Sequence, residues 1–234
     1  MKLLENDIQV WFFSVDDFQG DLGLYKALLS DEELQRSQKF KFERDRKLNV
    51  MARSALRILA GRYLGRDPGS LGVAYQEFGK PYFWEHPGLR FNISHSDAFI
   101  VLAFGMDAEL GVDVERIKTG FDVLRIAQNF FSSSEMDSLD KMPKENRYLA
   151  FYRLWTRKES FIKAKGSGLS FPLASFSVSI GEEARLLATE WNPGECREWS
   201  MRSFRPAPGY IGALSVRAPI RKIGYYQWQG ADLV

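Results

Sequence analysis

Cysteine is nearly missing from this chain. One residue of 234, Cys196, is a cysteine, so no intrachain disulfide can form and a reducing compartment is expected. Histidine is as scarce, with His86 and His95 the only two, and that excludes a His- or Cys-rich zinc site. Long apolar runs are absent as well. The longest, such as Phe99 to Phe104, have strand length and cannot span a membrane. Met1 to Asp7 turns acidic before the apolar stretch of a leader develops, so a soluble cytoplasmic protein is expected. Charge is close to balanced, with 32 Lys and Arg against 30 Asp and Glu, too mild an excess to point to nucleic acid. Gly-x-Gly-x-x-Gly, a Gly-Lys-Ser/Thr loop, Gly-x-Ser-x-Gly and His-Glu-x-x-His are all missing too.

What is present is a large supply of core. Hydrophobic residues make up 45% and aromatics 14%, eighteen of them Phe, enough for a chain of this length to bury a substantial interior without staples. Ile8, Val10 and Phe12 alternate as in a strand. Ser30 with Glu33, and Ser132 with Glu135, have the spacing of capping boxes. Within a cation-rich segment from Arg36 to Arg66, Val50, Leu56, Leu59 and Leu64 recur at helical spacing with Gly65 as the stop, and a second long helix is expected from Pro143 to Lys165, stopped by Gly166. Strands are expected at Phe91 to Ser94, Phe99 to Phe104 and Leu110 to Glu115, the last two closed as a hairpin by residues 105–109. Phe176 to Ile180 and the segments on either side of Arg205 to Gly209 complete a β-like tail. No internal repeat is visible in the sequence. The mixed order of elements gives an α+β class, with the break between lobes placed between Phe104 and Gly111.

Three features could carry chemistry. In Gly111-Val112-Asp113-Val114-Glu115 the alternation of a strand puts Asp113 and Glu115 on one face, where two carboxylates need a cation between them or a surface to disperse their charge. In Trp155 to Lys163 the apolar stripe of a helix runs through Tyr148, Phe151, Tyr152 and Trp155, and the next position is Glu159. A carboxylate there needs a cation or donors, and Lys163 lies one turn on; an ordinary surface pair between the two is the alternative. In Asn92-Ile93-Ser94-His95-Ser96 a hydroxyl and an imidazole at a strand end could grip a phosphate or be plain structural groups. Oxygen ligands, cations and phosphate-suited groups together point to Mg²⁺-assisted phosphoryl or pyrophosphate chemistry.

Phe91-Asn92-x-Ser94-His95-Ser96, Gly111-x-Asp113-x-Glu115 and Trp155-x-x-Lys158-Glu159-Ser160-x-x-Lys163, with Gly79-Lys80-Pro81 upstream, resemble in order and spacing the 4′-phosphopantetheinyl transferases. The length resembles the long, surfactin-synthetase-activating type. The resemblance implies two similar α+β lobes arranged as a pseudo-dimer, residues 1–106 and 107–234, each a small antiparallel sheet packed with a long helix, with the active site in the cleft between them. It implies transfer of phosphopantetheine from coenzyme A to a serine of an apo acyl or peptidyl carrier protein, with Mg²⁺, or Mn²⁺, as the metal. By position, Asp113, Glu115 and Glu159 resemble the metal ligands. Lys80, Ser94 and His95 resemble contacts to the coenzyme A phosphates, with Lys158 in the same motif, and Lys163 resembles the group beside the reacting pyrophosphate. Glu159, Lys163 and Asp113 are the implied catalytic set, with Glu159 as base or ligand. Arg46 and Arg53 fit the family's basic pattern on the 3′-phosphate and adenine side. The resemblance further implies a monomer with no nucleic-acid or membrane partner, and Phe121, Phe130 and Phe131 are candidates for carrier contact. A Mg²⁺-dependent nuclease or phosphodiesterase and a non-catalytic nucleic-acid-binding module are the competing readings. The first lacks the usual acid-x-lysine step, and the second leaves Glu159 without a purpose.

Overall fold

The structure, a computed structural model, describes residues 3–168 and 171–229. Both expected capping boxes form. Ser30 accepts the Glu33 N–H while Glu33 accepts the Ser30 N–H, and Ser132 and Glu135 repeat the exchange, each pair opening an eight-residue helix. These two helices mark corresponding points in two copies of one plan.

The first copy runs β1 (Asp7–Ser14), α1 (Leu22–Lys26), α2 (Asp31–Gln38), α3 (Glu43–Leu64), the hairpin of β2 (Val73–Tyr75) with β3 (Pro81–Phe83), then β4 (Leu89–Ser96) and β5 (Phe99–Met106). The second runs β6 (Leu110–Arg116), α4 (Val123–Ala127), α5 (Ser133–Asp140), α6 (Arg147–Lys165), the hairpin of β7 (Phe176–Val178) with β8 (Leu186–Thr189), then β9 (Ser200–Phe204) and β10 (Tyr210–Val216). Both long helices end on a glycine in the left-handed region, Gly65 and Gly166. Strand order also repeats, β1-β5-β4 against β6-β10-β9. The repeat that the sequence conceals is therefore structural: topology is kept while side chains have diverged.

Three departures from the sequence-based expectation concern the sheets. Residues 105–109 do not close a hairpin. β5 stays in the first sheet and β6 enters the second, so this stretch carries the chain from one sheet to the other. The first sheet is not wholly antiparallel, because β11 (Lys222–Gln227) adds beside β1 in parallel. That strand also departs from the expected lobe boundary, since residues 222–227 belong to the sheet of the first lobe.

Cores follow from this plan. α3 buries Ala55, Leu56 and Leu59 against Phe13, Ile100, Leu102 and Phe104. α6 buries Phe151, Leu154 and Phe161 against Phe176, Trp199 and Met201. The other faces of the two sheets meet each other, and Ile8, Val10, Val101, Val112, Val114 and Leu214 form a third core that fuses the lobes. Among the described residues no helix is long and apolar enough to cross a membrane.

Candidate functional site

The seam between the lobes is made by side chains standing in for a backbone ladder. β4 and β6 are both edge strands, and alternate residues of β4 lean across. Asn92 Oδ1 accepts the Val112 N–H at 2.9 Å, Ser94 Oγ that of Val114 at 3.3 Å, and Ser96 Oγ that of Arg116 at 3.1 Å. The same hydroxyls donate onward, Ser94 to Asp113 Oδ1 at 2.8 Å and Ser96 to Glu115 Oε2 at 2.7 Å. Ser94 thus orients Asp113 and its only proton is used. The Asn92-x-Ser94-x-Ser96 alternation is the sequence signal for this seam; the motif contains Asn92 and Ser96, but sequence reasoning gave neither a role.

Gly111 explains how β6 approaches α6 so closely. A Cβ there would lie 2.2 Å from the Ser160 carbonyl oxygen and 2.3 Å from the Ala164 nitrogen, so only glycine fits. With Gly111 against the helix, Asp113 and Glu115 leave β6 on the same side, toward Glu159 and Lys163 of α6. Lys163 Nζ donates to Asp113 Oδ1 at 2.6 Å and to Ser94 Oγ at 3.0 Å. Asp113 is 3% exposed, and its second oxygen is buried with no hydrogen-bond partner. Glu159 is 8% exposed. Burial above all, then the Asp113 charge, and less strongly Glu115, push its carboxyl up to about 7, with Lys163 pulling the other way. Glu115 is raised too, by burial first and Asp113 second. One ammonium therefore faces three crowded carboxylates.

That surplus of buried oxygen and negative charge fits a hard divalent cation. Among the described residues no three His, Cys, Asp or Glu side chains are drawn together tightly enough to hold a metal as they stand. The Lys163 ammonium is the cation at Asp113, and Asp113 Oδ2, Glu115 and Glu159 supply the oxygens a metal would need.

Glu159 and Lys163 also line a cleft of about 300 Å³ whose other wall is Lys80, Pro81 and Asn92 from the first lobe, with the exposed ring of Phe78 at its mouth. The turn that presents Lys80 depends on Gly79, whose φ of 82° suits glycine, and on the Gln76 N–H bonded to the Lys80 carbonyl at 2.9 Å. Lys80 Nζ donates to the carbonyls of Leu110 and Ala164 at 3.1 and 2.6 Å, keeping one N–H free. Burial lowers its ammonium to about 8. His95 faces away from Ser94 along β4 and is exposed to solvent. Dehydration by its neighbours, and then the Lys163 charge, hold its imidazole below the usual value.

The remaining expected residues lie elsewhere. Arg46 lines a separate groove with Arg44 and Lys47, and its Nε donates to the Phe40 carbonyl at 2.8 Å. Arg53 is half-buried 5.9 Å over the Tyr75 ring. Lys158 corrects its assignment as a ligand contact. It is 1% exposed, and its three donors go to Glu135 at 2.8 Å and to the carbonyls of Leu173 and Phe176 at 2.8 and 2.6 Å. In the first lobe Arg57 makes the matching bonds, to Glu33 at 2.7 Å and to the Leu71 carbonyl at 2.8 Å. The repeated plan thus shows Lys158 as the post that ties α6 to its capping box. Phe131 is core, while Phe121 and Phe130 are partly buried against α6.

Comparison with known proteins is decisive. Residues 109–215 match the 4′-phosphopantetheinyl transferase superfamily, and residues 16–106 match the N-terminal region of a 4′-phosphopantetheinyl transferase. A 4′-phosphopantetheinyl transferase of Bacillus subtilis is 37% identical over 161 residues, 68% of this chain and 70% of that one. The chain belongs to the 4′-phosphopantetheinyl transferase family. Sfp of Bacillus subtilis is 31% identical over 83% of this chain and 85% of its own. HetI, from a Nostoc species, is 29% identical over 92% of this chain and 90% of its own. The protein is accordingly a 4′-phosphopantetheinyl transferase of the Sfp type.

Proposed function

We propose that this transferase moves the phosphopantetheine arm of coenzyme A onto a serine hydroxyl of an apo acyl or peptidyl carrier protein. The single observation that carries the reading is the buried Asp113 oxygen without a partner, set beside Glu115, Glu159 and Lys163, with Lys80 on the other wall of the cleft that Glu159 and Lys163 line. Asp113, Glu115 and Glu159 would hold a Mg²⁺ or Mn²⁺ ion, which when bound neutralises charge on a pyrophosphate. Phe78 at the mouth of the cleft offers a ring face to a nucleobase.

The protein's own groups do the positioning. Lys80, with one free N–H, and Lys163 hold phosphate oxygens on opposite walls of the cleft. Ser94 keeps the Asp113 carboxylate turned toward α6. The carrier serine Oγ bonds to the β-phosphorus as the bond from that phosphorus to the bridging oxygen breaks. The electron pair stays on the departing adenosine 3′,5′-bisphosphate, where Lys163 stabilises it. The serine proton passes to a carboxylate, and Glu159, with its proton affinity raised to about 7, is suited to take it. Glu159 therefore serves as base or as the third metal ligand. Asp113, Glu159 and Lys163 form the catalytic set, and His95, Arg46 and Arg53 are assigned to the phosphate and adenine end of the coenzyme. The enzyme works as a cytoplasmic monomer.

Intact-mass spectrometry of an apo carrier incubated with this protein and coenzyme A tests the proposal. A gain of one phosphopantetheine arm that a chelator abolishes supports it. No gain on fatty-acid, polyketide and peptide carriers, from protein shown to be folded, refutes it.

A further inference from the structure

Behind Lys80, on the side away from the cleft, lies a second and more enclosed cavity of about 230 Å³. Lys80 and Pro81 form the wall shared by the two. The cavity is closed by the hairpin of β2 and β3, the start of β4, the residues entering β6 and the end of α6. Its position follows from the seam. Asn92, Ser94 and Ser96 accept the N–H groups of Val112, Val114 and Arg116 in strict register, so the next position back along β4, Arg90, stands opposite Leu110. A guanidinium has no acceptor to offer there, and the seam opens into the cavity.

Arg90 is half-buried, and its Nε is fully buried without a partner. Among the described residues its guanidinium has no side-chain hydrogen bond or ion pair. Glu109, the only carboxylate on the cavity wall, is half-exposed and lies 3.5 Å from Arg217. Lys165 adds positive charge at the rim while pairing with Glu195 at 2.6 Å. Burial lowers the Lys80 ammonium, the Glu109 carboxylate on the same wall pulls the other way, and the Arg90 charge adds a smaller push in the direction of burial. A buried guanidinium nitrogen without an acceptor is costly, and the planar fork matches a tetrahedral oxyanion.

We propose that this cavity binds a small free oxyanion of the phosphate or sulfate type, held between the Arg90 guanidinium and the remaining N–H of Lys80. Gln76 and Tyr82 stand on the wall as further donors. The site shares the Lys80 wall and its one remaining N–H with the cleft, so an anion here competes for that donor with a phosphate in the cleft; Arg90 belongs to this cavity and not to the cleft.

The test combines location and affinity. Crystals of the full chain are soaked in selenate, whose anomalous scattering marks the ion. Inorganic phosphate is titrated calorimetrically at fixed ionic strength into the wild type, Arg90→Gln, Arg90→Lys and Lys163→Ala. The proposal expects selenate density between Arg90 and Lys80. It expects phosphate affinity to fall at least tenfold in Arg90→Gln and to be partly kept in Arg90→Lys; a loss in Lys163→Ala with none in Arg90→Gln would report phosphate in the cleft and overturn it. Density confined to the cleft, a phosphate affinity indifferent to Arg90→Gln, or a wild-type Arg90 paired with Glu109 in the soaked crystal would overturn it. Should Arg90→Gln fail to fold, the wild-type soak and Arg90→Lys decide the matter.

Discussion

Lys163 Nζ lies 2.6 Å from one oxygen of Asp113, while the other oxygen of that carboxylate is buried with nothing to bond it. A single ammonium faces three carboxylates there. The metal site proposed for Asp113, Glu115 and Glu159 can therefore be tested apart from catalysis.

Added Mg²⁺ should stabilise the wild type. A ligand present at about a hundred times its dissociation constant adds about 2.7 kcal/mol to the folded state. Asp113→Asn removes the central carboxylate, so its melting temperature should match or exceed that of the wild type in chelator and no longer rise with Mg²⁺. Differential scanning fluorimetry across a Mg²⁺ titration makes the comparison. An unchanged Mg²⁺ response in Asp113→Asn contradicts the ligand assignment.

Glu159 gives the metal-free protein a pH dependence with a definite sign. Its carboxyl, raised in the fold from 4.5 to about 7, binds a proton more tightly folded than unfolded. The folded state is thus favoured by protonation, and this contribution, present in full below pH 4.5, fades as pH rises through 7. The loss is about 3 kcal/mol for this one group. Urea unfolding in chelator at pH 5 and pH 8 should show it, and Glu159→Gln should shrink the difference between the two. Equal differences in both proteins contradict the placement of Glu159.

Lys158 makes a prediction of a different kind, because its partners lie in the core. Lys158→Ala leaves Glu135 buried without its cation and should destabilise by about 3–5 kcal/mol. Adding Glu135→Gln should recover part of that loss. At a temperature where both remain folded, the KM for coenzyme A should be unaltered. A KM raised tenfold without loss of stability would return Lys158 to the coenzyme site.

How far the sequence revealed this arrangement depends on the kind of signal involved. Capping boxes at Ser30 and Ser132 and the glycine stops at Gly65 and Gly166 are local, and each formed where the spacing placed it. Strand partners were not local. Nothing in residues 105–109 tells whether β5 and β6 pair with each other or with distant strands, and β11 reaches back more than two hundred residues to β1. Glu159 was legible because a carboxylate interrupts an apolar stripe. Lys158, its neighbour, carried no such mark, because a cation facing the core of its own lobe looks the same in sequence as one facing a ligand. Its burial and its three protein acceptors, matched by Arg57 in the other lobe, separate the two readings.

The most direct test of the account is the transfer reaction catalysed by Glu159→Gln. Its circular dichroism and melting in chelator should show a folded protein, while intact-mass spectrometry of the carrier with coenzyme A and Mg²⁺ should show at least a thousandfold loss in the rate of arm transfer relative to wild type. A folded Glu159→Gln protein that loads carrier at near the wild-type rate would contradict the assignment of Glu159 to the reaction.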